Sequence, residues 1–390
     1  MNFEKLTSYL DGLKEQYGIP QTEIIITKDY EEVYHHLTGY SDFEETIPAS
    51  EKDGYYFYSA SKVMTMISVM REIEQGRIHL YDPVCKYLPE YEVMTVIDRE
   101  FDMTVFPPQQ PTLDEPRHYA ARQIRIIDLM AMMSGLTYDL SMPPVKETIE
   151  ATDHKGSTRE IVAAIAKMPL AAEPGTRWIY SLGHDVLGAV VEVTSGERFG
   201  DYLRKYVFDL CGADDIGFTM PEGIRLTAQY AFNPEKQKIL PMNDQNVFIL
   251  SENYESGGAG LMGTASAYSK VIEAIANGGV TKDGKRILSE ESVRMFMHGV
   301  TTGAVLEEFK AGGKRASYSY GLGVRVKHNM SEGRTPIGEF GWDGADGAYA
   351  LIDPINHISI FHAQHVFGFL PAYTEIHPML RDLAYEGLGI

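Results

Sequence analysis

Apolar residues recur at every third or fourth position in several stretches of the chain, the spacing of a helix with one buried face. Phe3, Leu6, Leu10, Leu13 and Tyr17 predict an amphipathic helix that ends at Gly18. The same period predicts further helices over residues 59–75, 126–133, 157–166, 184–194 and 373–387. Helices are therefore expected to fill the middle of the chain and to close it.

Strand-forming residues concentrate towards the two ends. Residues 23–27 and 32–37 predict a hairpin that turns around Lys28-Asp29-Tyr30. In the last third, strands are predicted over residues 320–326, 336–342, 348–352 and 358–362. We therefore expect an α/β (α+β) unit in which residues 1–82 and 217–390 share one sheet, with a mainly helical subdomain over residues 83–216.

Composition excludes several classes of protein. The chain has 390 residues, of which 44% are apolar and 23% charged, the usual balance of a globular protein. Its 35 basic and 55 acidic residues give a net charge of −20, which speaks against binding to nucleic acid or to an anionic membrane. No apolar run approaches the ~20 residues of a membrane span.

The cysteines and the first residues bear on the compartment. Cys85 and Cys211 form neither a metal-type nor a redox-type pair, and a chain without a disulfide framework fits a reducing compartment. Residues 1–20 lack the apolar run of a secretory signal. A cytoplasmic protein is expected, and no feature of the sequence specifies an oligomeric state.

The strongest chemical signal is Ser59-Ala60-Ser61-Lys62 at the start of a predicted helix. Residues three apart share a helix face, so Ser59 and Lys62 can meet, and the helix N-terminus offers free N–H groups. A serine becomes a good nucleophile when a base accepts its proton, and a lysine removed from water can be that base. The alternative is a helix-cap serine beside a surface lysine.

Two later segments could complete such a site. Tyr180 follows a Pro174-Gly175 turn, and a tyrosine near a lysine can pass protons to a leaving group. Residues 340–347 form a glycine-punctuated strand, where a backbone N–H could help to bind an oxyanion. The alternatives are a core tyrosine and a bulged strand.

Together these segments resemble the serine β-lactamase and penicillin-binding-protein family, and most closely its class C-type esterase branch. Further matches occur in the same order along the chain: Gly76–Val84, Tyr87-Leu88-Pro89, Ile126–Met130 with Ser134-Gly135-Leu136, Ser256–Leu261 with Thr264-Ala265, and Tyr320–Gly323. The resemblance implies a β-lactamase/transpeptidase-like fold with an antiparallel sheet flanked by helices.

The resemblance also implies roles for individual residues. Ser59 is the nucleophile, Lys62 its base and Tyr180 the partner in acid–base catalysis. The backbone N–H groups of Ser59 and Ala345 form the oxyanion hole. The implied reaction is acyl transfer through an acyl-enzyme, and it needs no metal or organic cofactor.

Two departures from the lactamase pattern bear on the substrate. Leu182 stands where lactamases have asparagine, and Trp342-Asp343-Gly344 replaces their Lys-Thr-Gly. In lactamases the lost groups bind the amide side chain and the carboxylate of the substrate. The contact with the carboxylate is worth ~1.5–3 kcal/mol. Asp343 and Asp346 would also repel an anion if they faced the cleft. Leu182, Trp342, Asp343 and Gly344 are therefore predicted substrate-binding residues for small to medium uncharged esters.

Several alternative functions are compatible with this sequence. A β-lactamase, a D-amino-acid peptidase or an acyltransferase would use the same Ser59 and Lys62, whereas a silent ligand-binding relative would use neither. A small ester or amide is the expected partner in each enzymatic case. No Gly-x-Ser-x-Gly elbow occurs. His362 and His365 lack further ligands at zinc spacing, so no metal site is expected.

Overall fold

The structure is a computed structural model that describes residues 1–105, 107–242, 246–311 and 315–390. Its helices are α1 (Glu4–Tyr17), α2 (Ser61–Glu74), α3 (Ile126–Met130), α4 (Pro143–Ala151), α5 (Thr158–Ile165), α6 (Gly183–Ser195), α7 (Phe199–Leu203), α8 (Asp209–Cys211), α9 (Ala265–Ala276), α10 (Glu290–Phe296), α11 (Gly303–Ala311) and α12 (His377–Leu388). Single 3₁₀ turns cover Tyr58–Ala60, Val84–Lys86 and Pro89–Tyr91, and π turns cover Arg204–Phe208 and Ala372–Ile376.

The strands are short and gather towards the two ends of the chain. They are β1 (Gln21–Lys28), β2 (Glu31–Gly39), β3 (Asp53–Tyr56), β4 (Thr95–Ile97), β5 (Arg117–Tyr119), β6 (Ile216–Gly217), β7 (Arg225–Leu226), β8 (Tyr230–Asn233), β9 (Lys238–Pro241), β10 (Met262–Thr264), β11 (Tyr318–Tyr320), β12 (Arg325–Lys327), β13 (Phe340–Gly341), β14 (Tyr349–Asp353), β15 (Ile358–Ala363) and β16 (Val366–Phe367).

Both ends of the chain build the main sheet, as the strand pattern predicts. Over the described residues this sheet is antiparallel, in the order β11-β12-β13-β14-β15-β1-β2. The link between the ends is the pairing of β1 with β15, in which Ile25 lies opposite Phe361. A smaller sheet, β6-β10-β3-β7, places β3 directly before Ser59.

Alternation of side chains along β1 explains how helices cover both faces of the sheet. Ile24 and Ile26 belong to a core that includes Leu10 of α1 and Leu380 of α12. Ile25 belongs to the other, larger core, which contains α9 and the buried residues of α2. Successive strand residues point to opposite faces, so one strand serves both cores.

The helical middle of the chain packs around α2 and α6. Helices α3 to α8 lie between residues 83 and 216, and α2 packs against α6. Almost every residue of α2 from Ser61 to Met70 is buried, because neighbouring elements cover all of its faces. The division into subdomains at residues 83 and 216 stays a prediction.

Three predicted elements differ in detail from the observed ones. Residues 320–326 form a hairpin, because Gly323 has a φ of +79° and Gly321 N–H bonds Val324 O at 2.8 Å. The strand predicted over residues 336–342 shortens to β13. The α-helix predicted from residue 59 begins at Ser61, with Ser59 in the preceding 3₁₀ turn.

A buried and an exposed residue of α6 test this packing. Leu187 is fully buried and Val193 is 43% exposed. Leu187→Ala should lower the free energy of unfolding by about 2–5 kcal/mol, because it leaves a cavity in the core. Val193→Ala, the control on the same helix, should change it by less than about 0.5 kcal/mol. Urea unfolding followed by circular dichroism measures both, and equal effects would contradict this packing.

Candidate active site

A sharp turn presents Ser59. β3 leads into Tyr58, whose φ of +43° is unusual for a residue with a side chain, and the 3₁₀ turn and α2 follow at once. Such backbone strain costs on the order of 1–3 kcal/mol and persists only where the surroundings hold it. Here Tyr58 OH donates to Gln229 Oε1 at 2.5 Å, and Tyr268 OH donates to Ala60 O at 2.8 Å. The turn is therefore fixed on both sides of Ser59.

Lys62 lies one helical turn after Ser59 and is completely buried. Its Nζ donates to Gly258 O at 2.8 Å, to Ser59 Oγ at 3.3 Å and to Tyr138 OH at 3.5 Å. No carboxylate of the described residues forms an ion pair with Lys62. The predicted pairing of Ser59 with Lys62 is thus present, and it is held by oxygen acceptors.

The Gly258 carbonyl is positioned by a buried carboxylate that sequence reasoning missed. Asp185 accepts hydrogen bonds from Tyr254 OH and Ser256 Oγ, both at 2.6 Å, and from Gly258 N–H at 3.4 Å. A Cβ on Gly258 would lie 2.5 Å from Asp185 Oδ2, so only glycine fits there. The signal in the sequence was an acidic residue in the first turn of α6, a place that carboxylates also occupy for helix stability alone.

Tyr138 is the second site residue that the sequence did not single out. Its ring stacks on that of Tyr180, with centroids 5.3 Å apart and planes 13° apart. Burial raises the pKa of Tyr138 well above its usual value, so its hydroxyl stays protonated at neutral pH. Its position two residues after the Ser134-Gly135-Leu136 motif is the signal that could have found it.

Tyr180 and Trp342 are joined as well as stacked. Trp342 Nε1–H donates to Tyr180 OH at 3.2 Å, and the ring centroids lie 5.9 Å apart. Lys62 Nζ lies 4.7 Å from the centroid of the Tyr180 ring, a distance typical of a cation–π contact. Tyr138, Tyr180 and Trp342 therefore form one aromatic stack beside Lys62.

The peptide between Gly344 and Ala345 is held firmly from one side. Gly344 O accepts hydrogen bonds from Tyr373 OH at 2.7 Å and from Gly347 N–H at 3.0 Å. A Cβ on Gly344 would lie 2.6 Å from Phe57 O, so this strand approaches the segment before Ser59 as only glycine allows. In a trans peptide the N–H points opposite to the C=O, which turns Ala345 N–H away from Tyr373 OH.

One cavity of about 350 Å³ collects most of the predicted residues. Its lining includes Ser59, Trp178, Tyr180, Arg315, Trp342, Asp343, Gly344, Ala345, Leu370, Tyr373 and Thr374. Four of these lining residues are aromatic. Lys62 lies behind Ser59. The structure thus brings together all predicted catalytic residues and three of the four predicted substrate-binding ones.

Leu182 is the predicted substrate-binding residue that does not line this cavity. Its side chain is 2% exposed and belongs to the large core, next to the start of α6. The residue that replaces the lactamase asparagine therefore contributes core packing at this point, and it offers no polar group to a substrate.

The sequence predicts that Asp343 and Asp346 repel anions if they face the cleft. Asp343 lines the cavity, whereas Asp346 is not among its lining residues. Arg325 Nη1 donates to Asp343 Oδ1 at 2.6 Å, so a buried guanidinium compensates that charge. Asp346 is fully buried, and burial raises its pKa well above the usual value, which favours the neutral acid. Position in the sequence places both residues near the cleft, and the structure pairs one carboxylate with Arg325 and buries the other.

The described residues contain no group of three or more His, Cys, Asp or Glu side chains arranged to hold a metal ion. His362 and His365 bond different partners, Thr22 and Thr227, at 2.5 and 2.9 Å. In the described part of the chain, no helix combines the length and apolar character that crossing a membrane requires.

The chain is similar in sequence and in fold to known proteins. Protein Rv1367c of Mycobacterium tuberculosis is 26% identical over 336 residues, covering 84% of this chain and 81% of that protein. Esterase EstB of Burkholderia gladioli is 27% identical over 296 residues, covering 70% and 69%. The solved structure of EstCE1, described as a hydrolase with promiscuous acyltransferase activity, has a TM-score of 0.75 over 98% of both chains at 22% identity.

The family comparison covers nearly the whole chain. A family model named Beta-lactamase matches residues 6–372. The likeness to EstCE1 agrees in fold with this match. The protein belongs to the Beta-lactamase family.

Proposed function

We propose that the protein is a serine hydrolase that cleaves carboxylic esters through an acyl-enzyme on Ser59. The observation that carries this proposal is the contact of Ser59 Oγ with the buried Lys62 Nζ at 3.3 Å, at the edge of an aromatic cavity. A serine next to a buried amine has a base for its proton, which is the requirement for nucleophilic attack.

The reaction follows from the positions of these groups. Lys62 accepts the hydroxyl proton while Ser59 Oγ bonds to the ester carbonyl carbon. The N–H groups of Ser59 and Ala345 bind the resulting oxyanion. The Tyr180 hydroxyl delivers a proton to the leaving alcohol as the C–O bond breaks, and the Lys62 ammonium then returns its proton to Tyr180. Water then attacks the acyl carbon and gives one proton to Lys62. The bond to Ser59 Oγ breaks as Lys62 passes that proton to the serine, which releases the acid and restores both groups.

The cavity favours esters over β-lactams. Trp178, Tyr180, Trp342, Leu370 and Tyr373 supply broad apolar walls that suit acyl and alkoxy groups. The amide side chain of a β-lactam needs a hydrogen-bond partner, and buried Leu182 supplies none. A polar group left unpaired in a closed site costs about 1–3 kcal/mol.

Removal of the nucleophile tests the proposal directly. Ser59→Ala should lower kcat for 4-nitrophenyl butanoate by more than about 10³-fold and abolish labelling by a fluorophosphonate probe, because the acyl-enzyme cannot form. Ser8→Ala, at an exposed position of α1, is the control. Ester hydrolysis that survives in the Ser59 variant would overturn the proposal.

The same assay separates ester from β-lactam chemistry. The value of kcat/KM for 4-nitrophenyl butanoate should exceed that for a chromogenic cephalosporin by about tenfold or more, since the cephalosporin amide stays unpaired. Initial rates at matched enzyme concentration give both values. Faster turnover of the cephalosporin would favour the β-lactamase alternative.

Tyr373 should act as a positioning residue for the oxyanion hole. Its hydroxyl bonds the carbonyl of the peptide whose N–H belongs to Ala345, so Tyr373→Phe should lower kcat about 2- to 10-fold with little change in KM. The control is Tyr91→Phe, which removes a buried bond of the same kind, from Tyr91 OH to Val162 O at 3.0 Å. Equal effects of the two variants on kcat, or a rise in KM alone, would contradict this role.

A further inference from the structure

Arg315 is the one basic residue that lines the Ser59 cavity, among the residues that the structure describes. It also lines a second cavity of about 340 Å³, which shares Asp343, Tyr373 and Thr374 with the first. Arg315 therefore lies where the two cavities meet, so its positive charge can act on an ester bound in the Ser59 cavity.

Aromatic rings hold the Arg315 guanidinium. Its central carbon lies 4.8 Å from the centroid of the Trp342 ring and 5.2 Å from that of Phe309. No hydrogen bond joins it to another described residue. Its contact with Asp343, from Nη2 to Oδ2, is 3.8 Å long. A guanidinium carries its five N–H donors around its edge, so ring contacts leave donors available to a ligand.

The neighbouring charges are already paired. Asp343 is bonded by Arg325 at 2.6 Å. Arg381 Nε donates to Asp382 Oδ1 at 2.8 Å, and both residues line the second cavity. His377, whose pKa burial lowers to about 4, and exposed Glu332, which accepts from Ser317 at 3.3 Å, also line the second cavity. Its remaining titratable groups are Tyr318, Tyr349 and Tyr373, whose pKa values burial raises. Arg315 thus remains the cation with the weakest protein partner around these cavities.

We propose that Arg315 binds a carboxylate carried by the substrate, so that the preferred esters are those with a free acid group elsewhere in the molecule, in place of the uncharged esters that the sequence predicts. This inference rests on the proposed ester hydrolysis and names its substrate class. The carboxylate would take two parallel N–H···O bonds from the guanidinium, the arrangement for which arginine is suited. Arg315 and Tyr180 both contact the Trp342 ring, so this contact would also hold the ester near the catalytic groups.

Matched esters test this preference. For 4-nitrophenyl hydrogen adipate against 4-nitrophenyl hexanoate, wild-type kcat/KM should favour the acid by about 10- to 100-fold, and Arg315→Gln should remove that preference. The pair 4-acetoxybenzoate and methyl 4-acetoxybenzoate places the carboxylate in the leaving group. A preference in either pair that depends on Arg315 supports the proposal and shows which half of the substrate carries the acid.

Two further variants define the role of the guanidinium. Arg315→Lys keeps the charge without the paired donors, so it should retain only part of the preference. Lys282→Gln removes a remote surface charge that pairs with Glu31, and it should leave the preference intact. Equal loss in the Arg315 and Lys282 variants, or no preference for the acid in either ester pair, would overturn the proposal.

A binding measurement separates this inference from the proposed function. The two tryptophans of the chain, Trp178 and Trp342, both line the Ser59 cavity, so their fluorescence should report occupancy. Monomethyl adipate should bind the Ser59→Ala variant about 10- to 100-fold more tightly than dimethyl adipate, and an added Arg315→Gln change should equalise them. If the two adipates bind equally tightly while the wild type still hydrolyses esters through Ser59, the carboxylate site is overturned and the proposed function stands. If monomethyl adipate binds more tightly but the wild type hydrolyses no ester, the proposed esterase activity is overturned and the carboxylate site stands.

Discussion

The burial of Lys62 is the constraint on which the site depends. An amine taken out of water needs hydrogen-bond partners, and the described residues provide no carboxylate for it. Its partners are Ser59, Tyr138 and the Gly258 carbonyl, which come from distant parts of the chain. Asp185 fixes that carbonyl through the surrounding loop. Lys62 can therefore act as the base for Ser59 only when these parts of the chain pack together around it.

The stacked rings of Tyr138, Tyr180 and Trp342 connect buried Lys62 to the substrate cavity. Tyr138 and Tyr180 lie beside Lys62, and Trp342 bonds the Tyr180 hydroxyl. Arg315 lies on the Trp342 ring. The groups proposed for proton transfer and the group proposed for substrate binding are thus in contact through a single indole. A change at Trp342 would disturb both, since it would remove a hydrogen bond and a cation–π contact together.

Local patterns predicted much of this protein because they act over a few residues. Helical spacing places Ser59 and Lys62 together, and strand-forming residues around a short turn predict the hairpin of β1 and β2. Ordered motifs also predicted the family. Tyr138 and Arg315 escaped because a single tyrosine or arginine carries no local signal. Their importance comes from stacking on residues that are 42 and 27 positions away in the sequence.

The sequence by itself determined the family, the serine–lysine pair and the fact that both ends of the chain share one sheet. Only the tertiary structure decided the electrostatics of the cavity. The Asp343 carboxylate is paired with a cation because strand pairing sets Arg325 opposite Gly341, close enough to bond it. Burial raises the pKa of Asp346 well above its usual value, which favours the neutral acid. Charge compensation depends on distance in space and on access to water, and neither is encoded in the order of residues along one strand.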